Sequence, residues 1–297
     1  MEKNLGFEAM RRIRPDEQFS LPERWGKQMR HLVIWLGDAI MRGGRRPPVV
    51  VAYPDLPSRR TTLYKVCRRN RWELTNIPRP DAMAFIRFED ATHKATPMPE
   101  DARGKQINAR CTDISKRTLD HQHQTTFGYG VNVDPCHHEG WLLEKSNDNA
   151  AHDGVEKLAP LAQLNPSKVY QRIVNNRDDS GRIVDLRLVY VNGLIPVVYR
   201  KYKSDAKRCS NETTEAQLAD AEKLISPEEQ ERIAALMKSL GVEFAELDGL
   251  RDQQTDQLFI VDVNPTAWGP PAGLAALSSE QAIERIAVVF RDWMMRS

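Results

Sequence analysis

Apolar and polar positions fall along this chain in blocks whose period changes, and the block at 242–270 is the most sharply patterned. Two apolar runs flank a polar turn at 253–256. The second run, 258–263, is β-branched and aromatic apart from Asp262. A short run of that composition predicts a strand buried on both faces, so the two runs read as a hairpin. Far upstream, Trp25, Met29, Leu32, Leu36 and Ile40 recur at helical spacing, and Gly43 and Gly44 end the pattern. The blocks then shorten: 48–53 reads as a buried strand, 61–69 as a helix, and 72–77 and 82–88 as strands. Strands alternating with a helix predict a small α/β lobe with a partly parallel sheet.

Residues 92–107 hold prolines and mixed charge and read as a linker or loop, which puts a division of the chain near 105. Beyond it, a helix starts near Lys116, and 127–130 reads as a turn entering a strand at 131–133. Strands are expected at 141–145 and 169–174. Another opens at Asp185 and returns over 194–199 through Asn192-Gly193, a pair suited to the positive φ angles of a tight hairpin turn. The polar stretch 204–225 reads as a loop and a short helix. Ser226-Pro227-Glu228-Glu229 is a capping box with proline at the first helical position. Its helix buries Ile233, Leu236, Met237 and Leu240 and stops at Gly241, and a last amphipathic helix is expected over 278–296.

Composition narrows the class. A chain of 297 residues buries a large core and is expected to divide into two or three lobes. No apolar run approaches the roughly 20 residues of a membrane helix. The first residues lack the apolar core of a secretory signal, so the expected location is cytoplasmic. Cys67, Cys111, Cys136 and Cys209 show no Cys-x-x-Cys spacing, and reduced thiols are expected. The net charge is only +2, and the many arginines of the first third have no aromatic stacking pattern beside them. They read as a solvated face, and nucleic acid is set aside as a partner. His121, His123, Cys136, His137 and His138 cluster in sequence, but His121 and His123 diverge on a helix and no second ligand pair completes a zinc site.

The candidate chemistry sits on the patterned hairpin. Side chains at i and i+2 leave a strand on one face, so Asp262 and Asn264 point to one spot, and Asp248 meets them if the two runs pair. Two carboxylates and an amide are hard oxygen donors of the kind that suits Mg²⁺ shared with substrate phosphates. The plainer reading is a buried hairpin with Asp and Asn as turn residues.

An acid on one strand, a turn, then apolar-Asp-x-Asn-Pro and a Gly-Pro-rich exit resembles the metal-binding end of ATP-grasp enzymes. That superfamily includes D-alanine-D-alanine ligase, glutathione synthetase and the ligases that add glutamate to peptide ends. Its usual pair is Glu-x-Asn, and Asp262 stands at the first position here. The resemblance covers roughly 108–275. It implies an α/β (α+β) ATP-grasp fold, with an N-terminal α/β lobe at 1–105 and, at 106–297, two α+β subdomains that clamp the nucleotide. By the same resemblance Asp248, Asp262 and Asn264 hold Mg²⁺, and Lys116 and Lys145 reach the phosphates of ATP. Gln171, Arg172 and Ile173 lie on the strand beside the adenine. Asp185 and Arg187 match an Asp-x-Arg in which Arg187 contacts the acyl phosphate or a substrate carboxylate. Lys201, with Arg200 and Lys203 as rivals, faces the γ-phosphate.

Relatives follow the lysine at Lys145 with a glycine-rich loop. This chain keeps only Gly154, so Asn147, Asn149 and His152 are expected to supply donors. The implied activity is an ATP-dependent carboxylate-amine ligase that works through an acyl phosphate, joining a small-molecule or peptide carboxylate to an amine acceptor. A kinase of the same fold that phosphorylates a hydroxyl, and a nucleotide-binding protein without turnover, are the alternatives. The sequence leaves homodimer formation open.

Overall fold

The apolar blocks between 48 and 88 become a sheet because each strand block is too short and too β-branched to bury itself any other way. The computed structural model describes residues 46–151, 153–204 and 213–296. The helical pattern at 22–41, His152 and Cys209 lie outside the described residues. In chain order come β1 (Val49–Pro54), α1 (Thr62–Arg69), β2 (Glu73–Thr75), β3 (Ala82–Phe88) and β4 (Lys105–Ile107). They form a sheet ordered β2-β1-β3-β4 in which every pairing is parallel.

Thr61 caps α1 by accepting the Tyr64 N–H. β4 corrects the reading of 92–107 as linker throughout. Its three residues carry only Ile107 inward, so no period could show. The stretch before it is tied down by the buried Arg87, which donates to the carbonyls of Thr96 at 2.6 Å and Ala109 at 3.1 Å.

The helix α2 (Lys116–Phe127) comes after β4, capped by Ser115 and closed by Gly128 at φ 83°. The expected strand at 131–133 is absent. Asp120 Oδ1 accepts the N–H groups of Val131 and Asn132, at 2.6 and 3.3 Å, so these donors are spent on a side chain. The segment meets β7 through an isolated bridge and not a ladder, with backbone bonds such as Arg172 N–H to Val131 O at 2.8 Å. A three-stranded antiparallel sheet comes next, built from β5 (Gly140–Ser146), β6 (Val155–Ala159) and β7 (Lys168–Arg172) in the order β6-β5-β7.

The third sheet is antiparallel: β8 (Ile183–Val191), β9 (Leu194–Lys203), β10 (Glu215–Ala219), β11 (Phe244–Arg251) and β12 (Leu258–Asn264), in the order β10-β9-β8-β11-β12. Asn192 and Gly193 turn the β8–β9 hairpin at φ 42° and 93°. β9 runs on through Lys203, past the expected end at 199, because Lys201 and Tyr202 are buried. β10 replaces part of the loop expected over 204–225. It is an edge strand with alternating polar positions, which composition alone reads as coil. The helices α3 (Ala221–Leu224), α4 (Pro227–Ser239) and α5 (Ala276–Met295) complete the described chain, and Ser226 forms the expected capping box with Glu229.

Burial explains where a site can lie. One face of the five-stranded sheet packs Leu186, Leu188, Val198 and Leu247 against α2 and α4. The opposite face packs Val189, Val191, Val197 and Phe244 into one core with α5, α1 and the β1–β4 sheet. Along that second face the period of two brings up Arg187 and Asp185 on β8, Lys201 and Lys203 on β9, Glu246 and Asp248 on β11, and Asp262 and Asn264 on β12. One surface is thus apolar at one end and charged at the other. The charged end faces the β5–β7 sheet. No helix among the described residues is long and apolar enough to cross a membrane.

Candidate functional site

A cleft opens between that charged end and the β5–β7 sheet. Lys116, Leu143, Lys145, Gln171 and Arg172 line one side, and Asp185, Asp248 and Asp262 the other. Register sets the acids. Asp248 is the cross-strand partner of both Asp262 and Arg187, so three charged groups lie abreast on adjacent strands. The two carboxylates answer this setting in opposite ways. Burial by itself would raise the Asp248 carboxyl, but Arg187 and Lys201 outweigh it and hold it well below the usual carboxylate range. Arg187 donates through Nε and Nη2 to the two Asp248 oxygens at 2.9 and 3.1 Å, and Lys201 Nζ lies 3.5 Å from Oδ1. Burial, with the Asp248 charge beside it, pushes the Asp262 carboxyl up to about 6. Its Oδ1 is buried and has no hydrogen-bond partner among the described residues.

The other residues singled out in the sequence take varied places. Lys116, at the start of α2, donates to the Asp148 carbonyl, and burial lowers its pKa although Asp262 opposes this. Lys145 is on β5 and lines the cleft. Gln171 is buried and donates to Asn132 Oδ1 at 3.2 Å, Arg172 is exposed, and Ile173 is half-buried and is not among the residues lining the cleft. Asp185 accepts from Asn176 at 2.9 Å and pairs with Lys203 Nζ at 2.6 Å. Asn264 Oδ1 accepts from the N–H and hydroxyl of Thr266 at 3.0 and 3.1 Å, as a turn residue does. Of the three oxygen donors proposed from sequence, Asp262 is therefore the one with an oxygen left over. His123 stacks on Phe127 with ring centroids 4.2 Å apart, inside the core.

The loop after Lys145 is built differently from the expectation. Asn147 and Asn149 are spent on the protein itself. Asn147 Oδ1 accepts the Arg117 N–H at 2.9 Å, and Asn149 Nδ2 donates to the Val263 carbonyl at 3.1 Å. Asp153 bridges the loop's ends by accepting from Ser146 N–H at 2.8 Å and Lys168 Nζ at 2.5 Å. Side chains take the place of glycine here by pinning the loop to β12, α2 and β7.

Sequence reasoning also passed over Glu246. It is 2% exposed, accepts from Thr62 Oγ1 of α1 at 2.5 Å, and lies 3.7 Å from Arg187 Nη1. The signal was present, since Glu246 stands two residues before Asp248 and shares its face.

A magnesium ion fits this donor set on two grounds. An oxygen of Asp262 is buried without a partner among the described residues, which is costly unless a cation or donor arrives. The donors nearby are hard oxygens. Among the described residues no three His, Cys, Asp or Glu side chains cluster in a metal-holding arrangement, so phosphate oxygens and water would complete the shell.

No family model matches the sequence, and no curated protein is similar to it. Solved structures are similar in fold. The ATP-grasp ligase PsnB, in complex with a phosphomimetic variant of a minimal precursor, Mg and ADP, superposes with a TM-score of 0.52 at 12% identity, over 82% of this chain and 99% of that one. A RimK-domain ATP-grasp protein of Sphaerobacter thermophilus gives 0.50 at 12% identity, over 84% and 99%. With its three sheets in this order and its cleft between two of them, the chain has the ATP-grasp fold.

Proposed function

We propose that the chain is an ATP- and Mg²⁺-dependent ligase that joins a carboxylate to an amine through an acyl phosphate. The observation that carries this reading is the pairing, across one cleft, of Lys116 and Lys145 with an acidic wall on which Asp262 keeps an unpartnered buried oxygen. A triphosphate set between them has cations on one side and a metal-ready acid on the other. Asp262 would hold Mg²⁺, with Asp248 and Asn264 joining it as Arg187 and Thr266 give up their oxygens, and the ion would supply charge neutralisation at the transferring phosphoryl group. Lys116 and Lys145 bind the phosphates, and Gln171 and Arg172 border the base, with Ile173 behind them outside the cleft lining. Lys201 and Arg187 lie against Asp248 and fix its carboxylate in place. Asp185, held by Lys203 and Asn176, keeps the adjoining wall rigid.

The substrate carboxylate oxygen attacks the γ-phosphorus and ADP leaves. The amine then attacks the acyl carbon, and phosphate departs with the electrons of the broken C–O bond. Little covalent work falls to the protein, and the barrier is lowered by positioning and electrostatics. A peptide is the carboxylate substrate this reading favours, because PsnB has been captured with precursor peptide and AMPPNP. The β1–β4 sheet forms the N-terminal lobe in this proposal, and the chain beyond it forms the nucleotide clamp.

The test is ADP release that depends on an added carboxylate, with hydroxylamine trapping of the acyl phosphate. Asp262→Ala is expected to abolish release. Full activity in both Asp262→Ala and Asn264→Ala would remove the metal assignment, and a stable phosphate ester in place of a trapped acyl group would make the chain a kinase. The pinned loop at 146–154 favours a second reading, nucleotide binding without turnover. Calorimetry showing ATP binding with no product from any carboxylate and amine pool would establish it.

A further inference from the structure

Glu246 is a buried acid placed between two parts of the molecule. It stands in the middle of β11, opposite Val189 on one side and Asn264 on the other, and is 2% exposed. Its Oε1 is fixed by the Thr62 hydroxyl, which belongs to α1 of the first lobe. Its Oε2 is buried and accepts no hydrogen bond from the described residues. Of the cations that act on Glu246, Arg187 forms an ion pair with that empty acceptor, its Nη1 stopping 3.7 Å away. Arg187 stops there because its other edge is committed to Asp248.

Those contacts conflict once a divalent cation sits at Asp262 and Asp248, a consequence that rests on the proposed role of these two acids as cation ligands. Both Asp248 oxygens are bonded to Arg187 in this structure. A cation drawing on the same oxygens repels the guanidinium at close range, in a setting where water screens poorly. Arg187 needs a second carboxylate, and Glu246 offers one less than about 1 Å beyond ordinary hydrogen-bond length.

We propose that Glu246 is a positioning residue that receives Arg187 when a divalent cation takes Asp248. It acts through Arg187 and touches neither cation nor substrate. The site is then a relay of one arginine between two acids two residues apart on one strand face. The empty Oε2 is the arginine's second seat.

Calorimetric titration of the full chain with MgCl₂ in the presence of AMPPNP tests this. Glu246→Gln leaves Arg187 no charged seat, and a roughly tenfold loss of Mg²⁺ affinity is expected, the size of one charge-assisted hydrogen bond. Glu246→Asp keeps the charge but withdraws it by one methylene, and the same loss is expected because contact is required. Thr62→Val cuts the lobe contact alone and should keep affinity within about twofold of wild type. Wild-type affinity in Glu246→Gln overturns the proposal. So does wild-type affinity in Glu246→Asp beside a loss in Glu246→Gln, which would mean that the field of the charge is enough. Equal weakening in Thr62→Val would assign the effect to lobe packing and also overturn it. No Mg²⁺ binding by the wild-type chain would remove the cation reading itself, a separate outcome from the other three.

Discussion

Two aspartates that face each other across β11 and β12 should answer the same Asp→Asn substitution with opposite signs. Asp248 is held by Arg187 and Lys201, and Lys201 is only 3% exposed. Asp248→Asn strands those cations, and breaking a buried pair of this kind costs about 3–5 kcal/mol. The Asp248 side chain retains 24% exposure toward the cleft, so the lower end, about 3 kcal/mol, is expected. Asp262 is the reverse case. Raising a carboxyl from 3.8 to about 6 corresponds to about 3 kcal/mol lost from the ionised folded state. Asp262 is half-buried, so screening lowers this to about 1–2 kcal/mol, which Asp262→Asn should recover.

The pH dependence separates the two. The depressed Asp248 carboxyl contributes stability that is present above the ordinary carboxylate range and is lost as pH falls below it. The raised Asp262 carboxyl imposes a penalty that grows as pH rises from 3.8 to about 6 and is complete above that. Urea unfolding followed by tryptophan fluorescence at pH 7.5 and pH 4 reads both. At pH 7.5 Asp248→Asn should unfold at lower urea and Asp262→Asn at higher urea than wild type. At pH 4 the gain from Asp262→Asn should nearly vanish. Two shifts of the same sign, or a gain from Asp262→Asn that persists undiminished at pH 4, would refute the reasoning.

Three single contacts give further expected outcomes. Lys145→Ala should weaken binding of a fluorescent ATP analogue by roughly 10- to 100-fold, the range of one charge-assisted phosphate contact. Ser226→Ala removes the capping-box acceptor for the Glu229 N–H and should cost about 1 kcal/mol in urea unfolding, with ATP binding unchanged. Gly241 sits at φ +67°, and a Cβ there would lie 2.7 Å from a backbone carbon of Arg110. Gly241→Ala should therefore lower the melting temperature by more than Ser226→Ala, because neither the backbone angle nor the opposing main chain can give.

Elements with a strong period or a defined turn chemistry could be read directly from the chain. β3 spans the residues expected of it, Asn192-Gly193 turns its hairpin, and Ser226 and Glu229 form their box. Short edge strands could not be read. β4 and β10 expose too few inward residues to carry a period, and β4 exists because β3 offers it an unpaired edge. The strand expected at 131–133 fails for a reason outside the segment, since Asp120 on α2 takes its backbone donors.

The candidate site divides along the same line. Alternation along a strand requires Asp262 and Asn264 to share a face, and Glu246 and Asp248 likewise, whatever the rest of the chain does. The sequence by itself therefore determined which acids sit together and that a buried hairpin carries them. Only the tertiary structure decided what each acid pairs with. Register across β8 and β11 aims Arg187 at Asp248, β9 runs far enough to bring Lys203 to Asp185, and Asp262 is left with an oxygen that no partner among the described residues fills. Strand periodicity is local and travels with the residues themselves. Partner choice depends on register between segments that lie some 60 residues apart in the chain, as Arg187 and Asp248 do.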